Sequence, residues 1–355
     1  MSEPMVRILI LGTGDWAAAH VANYAKIAGC RVVAGVDANA ARAESFCAAH
    51  GIPRAFDSLD AAIAWGEFDA VSNVTPDPTH HPTTMKLIAA GKHMFCEKPL
   101  APRHDLALEM TQAVEAAGLV GMVNLTYRNV PGLQEARRMI EAGAVGEVRH
   151  VEASYRQSWL VGNHWGEWHS NARWLWRLSS EHGSKGVLGD IGIHILDFAT
   201  YATGLEPVSL QARLKTFPKA PGDQIGAYRL DANDSAVMSL ELENGALGII
   251  HASRYMTGYG NALRLHVFGD AGALELEYSH ETTLLRVWDG AKVHDLAWRG
   301  IICPPVKTNW EHFVEAARAR KGREPSFRRA TALQKVLDAC FEPESQAALA
   351  LPGSA

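Results

Sequence analysis

Short apolar, β-branched runs alternate with helix-like segments through the first third of the chain. Residues 6–11, 31–36, 68–74, 93–96 and 120–123 read as strands, and 16–27, 40–50, 83–90 and 104–117 as the helices between them. A strand followed each time by a helix is the pattern of a parallel sheet covered on its faces, so a doubly wound sheet of about five or six strands is expected. After Pro131 the texture changes. A helix over 133–141 ends at Gly143, an alternating strand runs over 147–157, a tryptophan-rich loop follows, and a helix covers 190–201. Over 208–297 strand-like runs are separated by turn signals such as Glu243-Asn244-Gly245, Gly269-Asp270 and Asp289-Gly290. They predict one large, open, mainly antiparallel sheet. Helices over 310–318 and 330–341 precede a polar, Ala-rich end. The expected architecture is α/β: a parallel-sheet domain over 1–124, an α/β domain over 125–341, and a flexible tail over 342–355.

Composition narrows the partners. The 355 residues are 47% hydrophobic and 21% charged, ordinary for a globular protein with a real core. Residues 116–127 carry no charge, yet they fall short of the roughly 18 apolar residues of a membrane span. No membrane partner is expected, and with only Arg7 before a short apolar run there is no signal-peptide pattern, which points to the cytoplasm. The cysteines, Cys30, Cys47, Cys96, Cys303 and Cys340, are odd in number and far apart, against both a disulfide framework and a structural zinc site. A net charge of -5 with interspersed signs offers no basic face for nucleic acid.

The first chemical signal is Leu11-Gly12-Thr13-Gly14-Asp15-Trp16-Ala17, a strand running into G-x-G-x-x-A at a helix start. Gly12 permits the tight turn, Gly14 lets backbone approach a pyrophosphate, and Ala17 keeps helix and strand close. The second strand ends in Val36-Asp37, where a carboxylate accepts hydrogen bonds from adenosine ribose hydroxyls. These features predict a Rossmann domain. Asp37 repels a 2′-phosphate and Ala38-Asn39 supplies no offsetting cation, so NAD is favoured over NADP, with Arg42 as the residue able to soften that preference.

Two further stretches, Thr75-Pro76 with His80 and Cys96-Glu97-Lys98-Pro99, make the chain resemble the Gfo/Idh/MocA oxidoreductases, a family of sugar and inositol dehydrogenases. The likeness extends through Tyr127-Arg128-Asn129-Val130-Pro131, Trp176-Arg177 and Leu188-Gly189-Asp190-Ile191-Gly192-Ile193-His194. It implies that Thr75, Pro76, His80, Glu97 and Lys98 join Gly12, Thr13, Gly14, Asp15, Trp16 and Asp37 at the cofactor. It also implies that Lys98, Asp190 and His194 are catalytic, that the Lys98-Pro99 peptide is cis, and that the protein is a dimer or tetramer.

Oxidising a secondary alcohol needs a hydride acceptor, a base and a positive charge near the developing alkoxide. On a regular helix Asp190, His194 and Asp197 project from nearly one face. His194 is assigned the hydroxyl proton, Asp190 its orientation, and Lys98 the alkoxide charge; the sequence leaves open whether Lys98 is instead the acceptor. No metal is expected, since no second histidine has ligand spacing. Around Trp159, His164, Trp165, Arg173 and Trp176, flat rings suit the C–H faces of a sugar and the polar groups its hydroxyls. Tyr127 and Arg128, after the last parallel strand, are expected to line the same substrate site. The expected reaction is NAD-dependent oxidation of a ring hydroxyl on a neutral sugar, anhydrosugar or inositol-type polyol. An NAD-retaining glycoside hydrolase and a non-catalytic dinucleotide-binding regulator are the alternatives.

Overall fold

The computed structural model describes residues 4–290 and 296–342, so the expected tail lies outside it from 343 on. The chain forms two compact units, one comprising the segment up to Thr126 with Lys307–Lys335, the other Tyr127–Val306 with the chain from Val336.

The first unit alternates strands and helices in the order β1 (Val6–Leu11), α1 (Ala17–Tyr24), β2 (Cys30–Val36), α2 (Ala40–His50), β3 (Arg54–Phe56), α3 (Leu59–Trp65), β4 (Ala70–Asn73), α4 (Asp77–Ala89), β5 (His93–Cys96), α5 (His104–Ala116) and β6 (Gly121–Val123). The six strands are all parallel, in the order β3-β2-β1-β4-β5-β6. The order reverses between β1 and β4, the switch point at which doubly wound sheets hold ligands beyond the strand C-termini. Ile8, Ile10 and Phe95 are fully buried, as near-continuous apolar strands covered on both faces require.

In the second unit α6 (Pro131–Glu141), β7 (Val148–Arg156), the one-turn α7 (Ala172–Leu175) and α8 (Ile193–Thr203) precede a long run of strands. These are β8 (Pro207–Lys215), the short β9 (Gln224–Ile225) and β10 (Tyr228–Arg229), β11 (Ser235–Leu242), β12 (Leu247–Ser253), β13 (Ala262–Gly269), β14 (Gly272–Ser279), β15 (Thr282–Asp289) and β16 (Trp298–Ile301). Seven of them join β7 in one eight-stranded sheet, β16-β15-β14-β13-β7-β12-β11-β8, antiparallel except where β7 pairs with β12. Residues of β11 alternate buried and exposed, so one face is inward and one outward. Helix α8 is buried on nearly every side, Ile193, Ile195, Leu196 and Phe198 among its buried residues, because it packs on the inward face of the sheet beside α6.

The two C-terminal helices, α9 (Asn309–Ala319) and α10 (Phe327–Ala339), correct the expected division of the chain. Helix α9 and most of α10 belong to the parallel-sheet unit rather than to the second domain. Phe313 stacks on Phe95 with centroids 5.2 Å apart, Trp310 meets Phe95 edge-on, and the buried Asn309 amide donates to the Leu125 carbonyl at 3.0 Å. On α10, Thr331 Oγ1 donates to the Ala107 carbonyl of α5 at 3.0 Å. Helical periodicity shows that these segments have an apolar face. It does not show which sheet that face covers.

Candidate active site

The nucleotide turn follows β1. Gly12 has φ +88°, and a Cβ there would lie 2.9 Å from the Val74 carbonyl, so both the conformation and the close strand packing demand glycine. A Cβ at Gly14 would meet nothing within 4 Å. The space above that backbone is open, as a pyrophosphate cradle requires, and the residues fit the dinucleotide they were expected to hold. Asp15 and Trp16 are exposed in the first turn, whereas Thr13 is turned inward and spends both its backbone N–H and its hydroxyl on Asp37 Oδ2, at 3.0 and 2.8 Å. Burial pushes the Asp37 carboxyl upward, but donors from Arg42, Asn39 and Thr13 outweigh it and hold the group well below the ordinary carboxylate range.

Lys98 leaves the end of β5 through a cis peptide to Pro99, and its side chain is part-exposed. Two residues expected at the cofactor, Glu97 and His80, also fix this loop. Glu97 Oε1 accepts from Asn124 Nδ2 at 2.7 Å and pairs with His20 Nε2 at 3.0 Å, while His20 Nδ1 lies 2.7 Å from Ser72 Oγ. Burial raises Glu97, yet His20 and Asn124 bring it down to about 2. His80 is fully buried, with its ring nitrogens 2.8 Å from the Pro99 and Thr75 carbonyls, so it ties the Thr75-Pro76 loop to the loop that carries Lys98. Thr75 Oγ1 donates to Asn73 Oδ1 at 2.7 Å, and Pro76 is exposed.

In the second unit Asp190 sits in a single π-turn, Leu188–Gly192, that runs into α8. This turn displaces Asp190 from the regular helical face expected from its spacing, and wide turns of this kind recur at functional sites. Its Oδ2 accepts from Arg254 Nη2 at 3.0 Å and lies 3.8 Å from Arg177 Nε. Arg254 is completely buried, donates to the Arg177 carbonyl at 3.1 Å and stands over the Trp159 ring at 5.0 Å. Burial disfavours its charge, and Asp190 opposes that effect. His194 is buried edge-to-face on Tyr127, with ring centroids 5.0 Å apart. The Tyr127 and Tyr155 hydroxyls are hydrogen-bonded to each other. Tyr155 also donates to Asn261 Oδ1 at 2.7 Å, and Asn261 Nδ2 donates to the Tyr127 oxygen at 3.0 Å. Burial raises both phenols, so they remain neutral donors.

Asp197 does not share this surface. It accepts from Arg128 Nε and Nη2 at 2.6 and 2.7 Å, with both side chains buried, and the Arg128 guanidinium stacks on Tyr201. Arg128 is therefore committed to an internal ion pair rather than to a substrate wall. Trp159 is also withdrawn from the expected sugar-facing set: it is 3% exposed, in a core with Leu160, Trp168, Leu175, Leu178 and Leu230, and donates to Gln157 Oε1 at 3.1 Å. Trp165 is exposed and stacks on Trp174, with His164 against its edge and Arg173 exposed beside Trp174. Trp176 is half-buried under Arg177. Sequence reasoning missed Arg254, Tyr155 and Asn261. The alternation of β7 places Tyr155 on the inward face, a usable signal, whereas nothing local marks Arg254. Among the described residues no cluster of three or more His, Cys, Asp or Glu is placed to hold a metal ion.

Residues 6–125 match the family described as "Oxidoreductase family, NAD-binding Rossmann fold", and residues 133–275 match "GFO/IDH/MocA C-terminal domain". A levoglucosan dehydrogenase of Pseudarthrobacter phenanthrenivorans is 29% identical over 61% of this chain, and the chain spans 57% of that relative's length. A solved levoglucosan dehydrogenase in complex with NADH superimposes with TM-score 0.84 at 25% identity, covering 96% of each chain. An inositol 2-dehydrogenase of Rhizobium meliloti is 32% identical over 77% of this chain and 76% of its own. Likeness of that extent, joined to a nucleotide turn that fits its cofactor, makes the chain a member of the Gfo/Idh/MocA family of NAD-binding oxidoreductases.

Proposed function

We propose that the protein oxidises, reversibly, a ring hydroxyl of a neutral sugar, anhydrosugar or inositol-type polyol. The observation that carries this reading is the surround of His194. The imidazole is flanked by the neutral phenols of Tyr127 and Tyr155, which Asn261 joins through hydrogen bonds to both, and Asp190 is held by two arginines. NAD, when bound, supplies the hydride acceptor. His194 takes the hydroxyl proton, since an imidazole accepts and returns protons near neutrality. Asp190, held by Arg254 and Arg177, orients the imidazole and places an acidic side chain near the imidazolium that forms. Lys98, anchored by Glu97 and His80 on either side, donates to the reacting oxygen and stabilises its negative charge. Trp165, His164, Arg173 and Trp176 present rings and donors to the sugar, and the rings stack on its C–H faces.

The experiment is a panel of sugars and polyols with NAD, followed at the NADH absorbance band, on the wild type and on Lys98→Met and His194→Ala. Turnover with a neutral cyclic polyol is expected, and each variant should lose about 10²- to 10⁴-fold in kcat while retaining NAD binding. Cleavage of a glycoside without net NADH, or full activity in either variant, would overturn this reading.

Oligomerisation belongs to the same proposal. Val237, Leu247, Ile249 and Leu284 are exposed on the outward face of the eight-stranded sheet, and a second copy of the chain covers them in a dimer or tetramer. Ile249→Asp should shift the mass by light scattering to that of a monomer; a wild type that is already monomeric would refute it. The free thiols of all five cysteines fit a reducing cytoplasm, and among the described residues no helix is long and apolar enough to cross a membrane.

A further inference from the structure

Arg254, which grips Asp190, has a further layer of buried polar groups beside it that the reaction above does not use. Lys219, in the loop after β8, and Asp234, just before β11, pair at 2.9 Å with side chains 1% and 0% exposed. Lys219 Nζ also donates to the Leu230 carbonyl at 3.2 Å, and Asp234 Oδ2 accepts from Phe217 N at 2.8 Å. Burial pushes the Asp234 carboxyl up, while Lys219, the Phe217 N–H and Arg254 oppose that shift. A buried ion pair adds little to stability compared with apolar side chains of similar volume, so its presence calls for another reason.

Arg254 supplies one. Its backbone N–H donates to the Asp234 carbonyl at 3.0 Å, one step beyond the Ser235–Ser253 pair of β11 and β12, so both side chains leave the same inward face of the sheet. Burial disfavours the Arg254 charge, and Asp190 and then Asp234 oppose that effect. Neither Arg254 Nε nor Asp234 Oδ1 has a hydrogen-bond partner among the described residues, so Asp234 acts on the guanidinium as a charge. Basic and acidic groups alternate from Lys219 through Asp234 and Arg254 to Asp190.

The neighbouring Asn233 holds the backbone on which Asp190 is carried. Its Oδ1 accepts from Leu188 N at 3.1 Å, its Nδ2 donates to the Lys185 carbonyl at 3.0 Å, and its own carbonyl accepts from Val187 N at 2.7 Å. These groups lie in the stretch that enters the π-turn Leu188–Gly192, so one buried residue sets where that turn begins. Gly186 has φ +66°, and a Cβ there would lie 2.5 Å from Asn233 Cγ and from the Asn233 carbonyl oxygen, so the two segments touch with no room to slide.

We propose that Asn233 and Asp234 are positioning residues for the oxidation: Asn233 fixes the turn that presents Asp190, and Asp234, backed by Lys219, fixes the guanidinium that grips the Asp190 carboxylate. The inference rests on the reading of Asp190 as part of the reacting site.

The test is NADH formation by the whole chain with myo-inositol and with levoglucosan as probes, alongside calorimetric titration with NAD. Asn233→Ala should lower kcat by about 10- to 100-fold, the loss that follows when a reacting group is misplaced by about an ångström. Asn233→Asp, which keeps the acceptor for Leu188, should recover part of it. Asp234→Asn alone would leave the buried Lys219 ammonium without its counter-charge, so it is combined with Lys219→Met. That pair keeps an acceptor for Phe217 N and should lower kcat by about ten-fold. In each protein KM and NAD affinity should stay within about three-fold of wild type, a split that general loosening of the fold would not give. Placed in an Arg254→Met protein, the paired change should cost no more than about two-fold further, because it acts through Arg254. Wild-type kcat in Asn233→Ala or in the paired variant, or losses that multiply in the Arg254→Met protein, overturns the proposal. Wild-type kcat in Asp190→Asn overturns the reading beneath it, and is told apart because it involves neither Asn233 nor Asp234.

Discussion

Removing the Asp197 carboxylate would take away the counter-charge that faces the Arg128 guanidinium in the interior of the second unit. The two side chains are 5% and 3% exposed and joined by two hydrogen bonds of 2.6 and 2.7 Å. Deleting one member of such a buried pair costs about 3–5 kcal/mol, most of it the penalty for the charge left behind. The Tyr201 ring, 3.6 Å from the guanidinium carbon, stays in place and supplies roughly 1–2 kcal/mol of cation–π attraction to that cation. The loss in Asp197→Ala should therefore fall near the lower end, about 3 kcal/mol. Replacing both partners by apolar side chains, Arg128→Met with Asp197→Leu, removes the stranded charge and should lie within about 1 kcal/mol of wild type. The assay is urea unfolding followed by circular dichroism and tryptophan fluorescence together, because a chain of two units need not unfold in one step. A loss below about 1 kcal/mol in Asp197→Ala, or single-variant effects that simply add, would refute the reasoning. The double variant also tests the correction to the sequence reading. Its KM should stay within about three-fold of wild type, and a rise of tens-fold would return Arg128 to the substrate wall.

Arg254→Met should lower kcat/KM by about 10- to 100-fold, since Asp190 loses the buried guanidinium that holds its carboxylate in place. Arg254→Lys should restore part of it, and an unchanged kcat/KM in Arg254→Met would detach Arg254 from the chemistry. Glu97 sits at about 2 against an ordinary 4.5, so its stabilisation is fully present above 4.5 and is lost as pH falls toward 2. That is about 3 kcal/mol for this mostly buried group. Glu97→Gln should flatten this part of the acid stability curve, and an unchanged slope would count against the assignment. Thr308 and Glu311 form a capping box at the start of α9, and Thr308→Ala should cost the first unit about 1 kcal/mol in chemical denaturation.

The alternation of apolar strands and amphipathic helices was readable because parallel strands are buried on both faces and leave little room for polar residues. The short β3, with α3 after it, was not: three residues carry no period, and the strand is specified by its neighbour β2 rather than by its own composition. Gly12 and Gly14 were readable because a dihedral and an open space leave few alternatives to glycine. The roles of Glu97, His80 and Thr13 were less so. A motif records that a residue is required near the cofactor without saying whether it faces the ligand or holds the residue that does. Asp190, in its π-turn, is held by Arg254, 64 residues distant in the chain, a partner that no helical wheel anticipates.

The first unit is interrupted: the chain leaves it at Thr126 and does not return until Lys307. On the ribosome, the nucleotide-binding half is therefore unfinished for most of synthesis, with Phe95 lacking the cover that Phe313 and Trp310 later supply. A gene fragment stopping at the obvious domain boundary would display that bare aromatic patch to solvent, and is expected to be recovered as aggregate rather than as a dinucleotide-binding module. Joining residues 307–335 directly behind residue 126 is the rational way to isolate it.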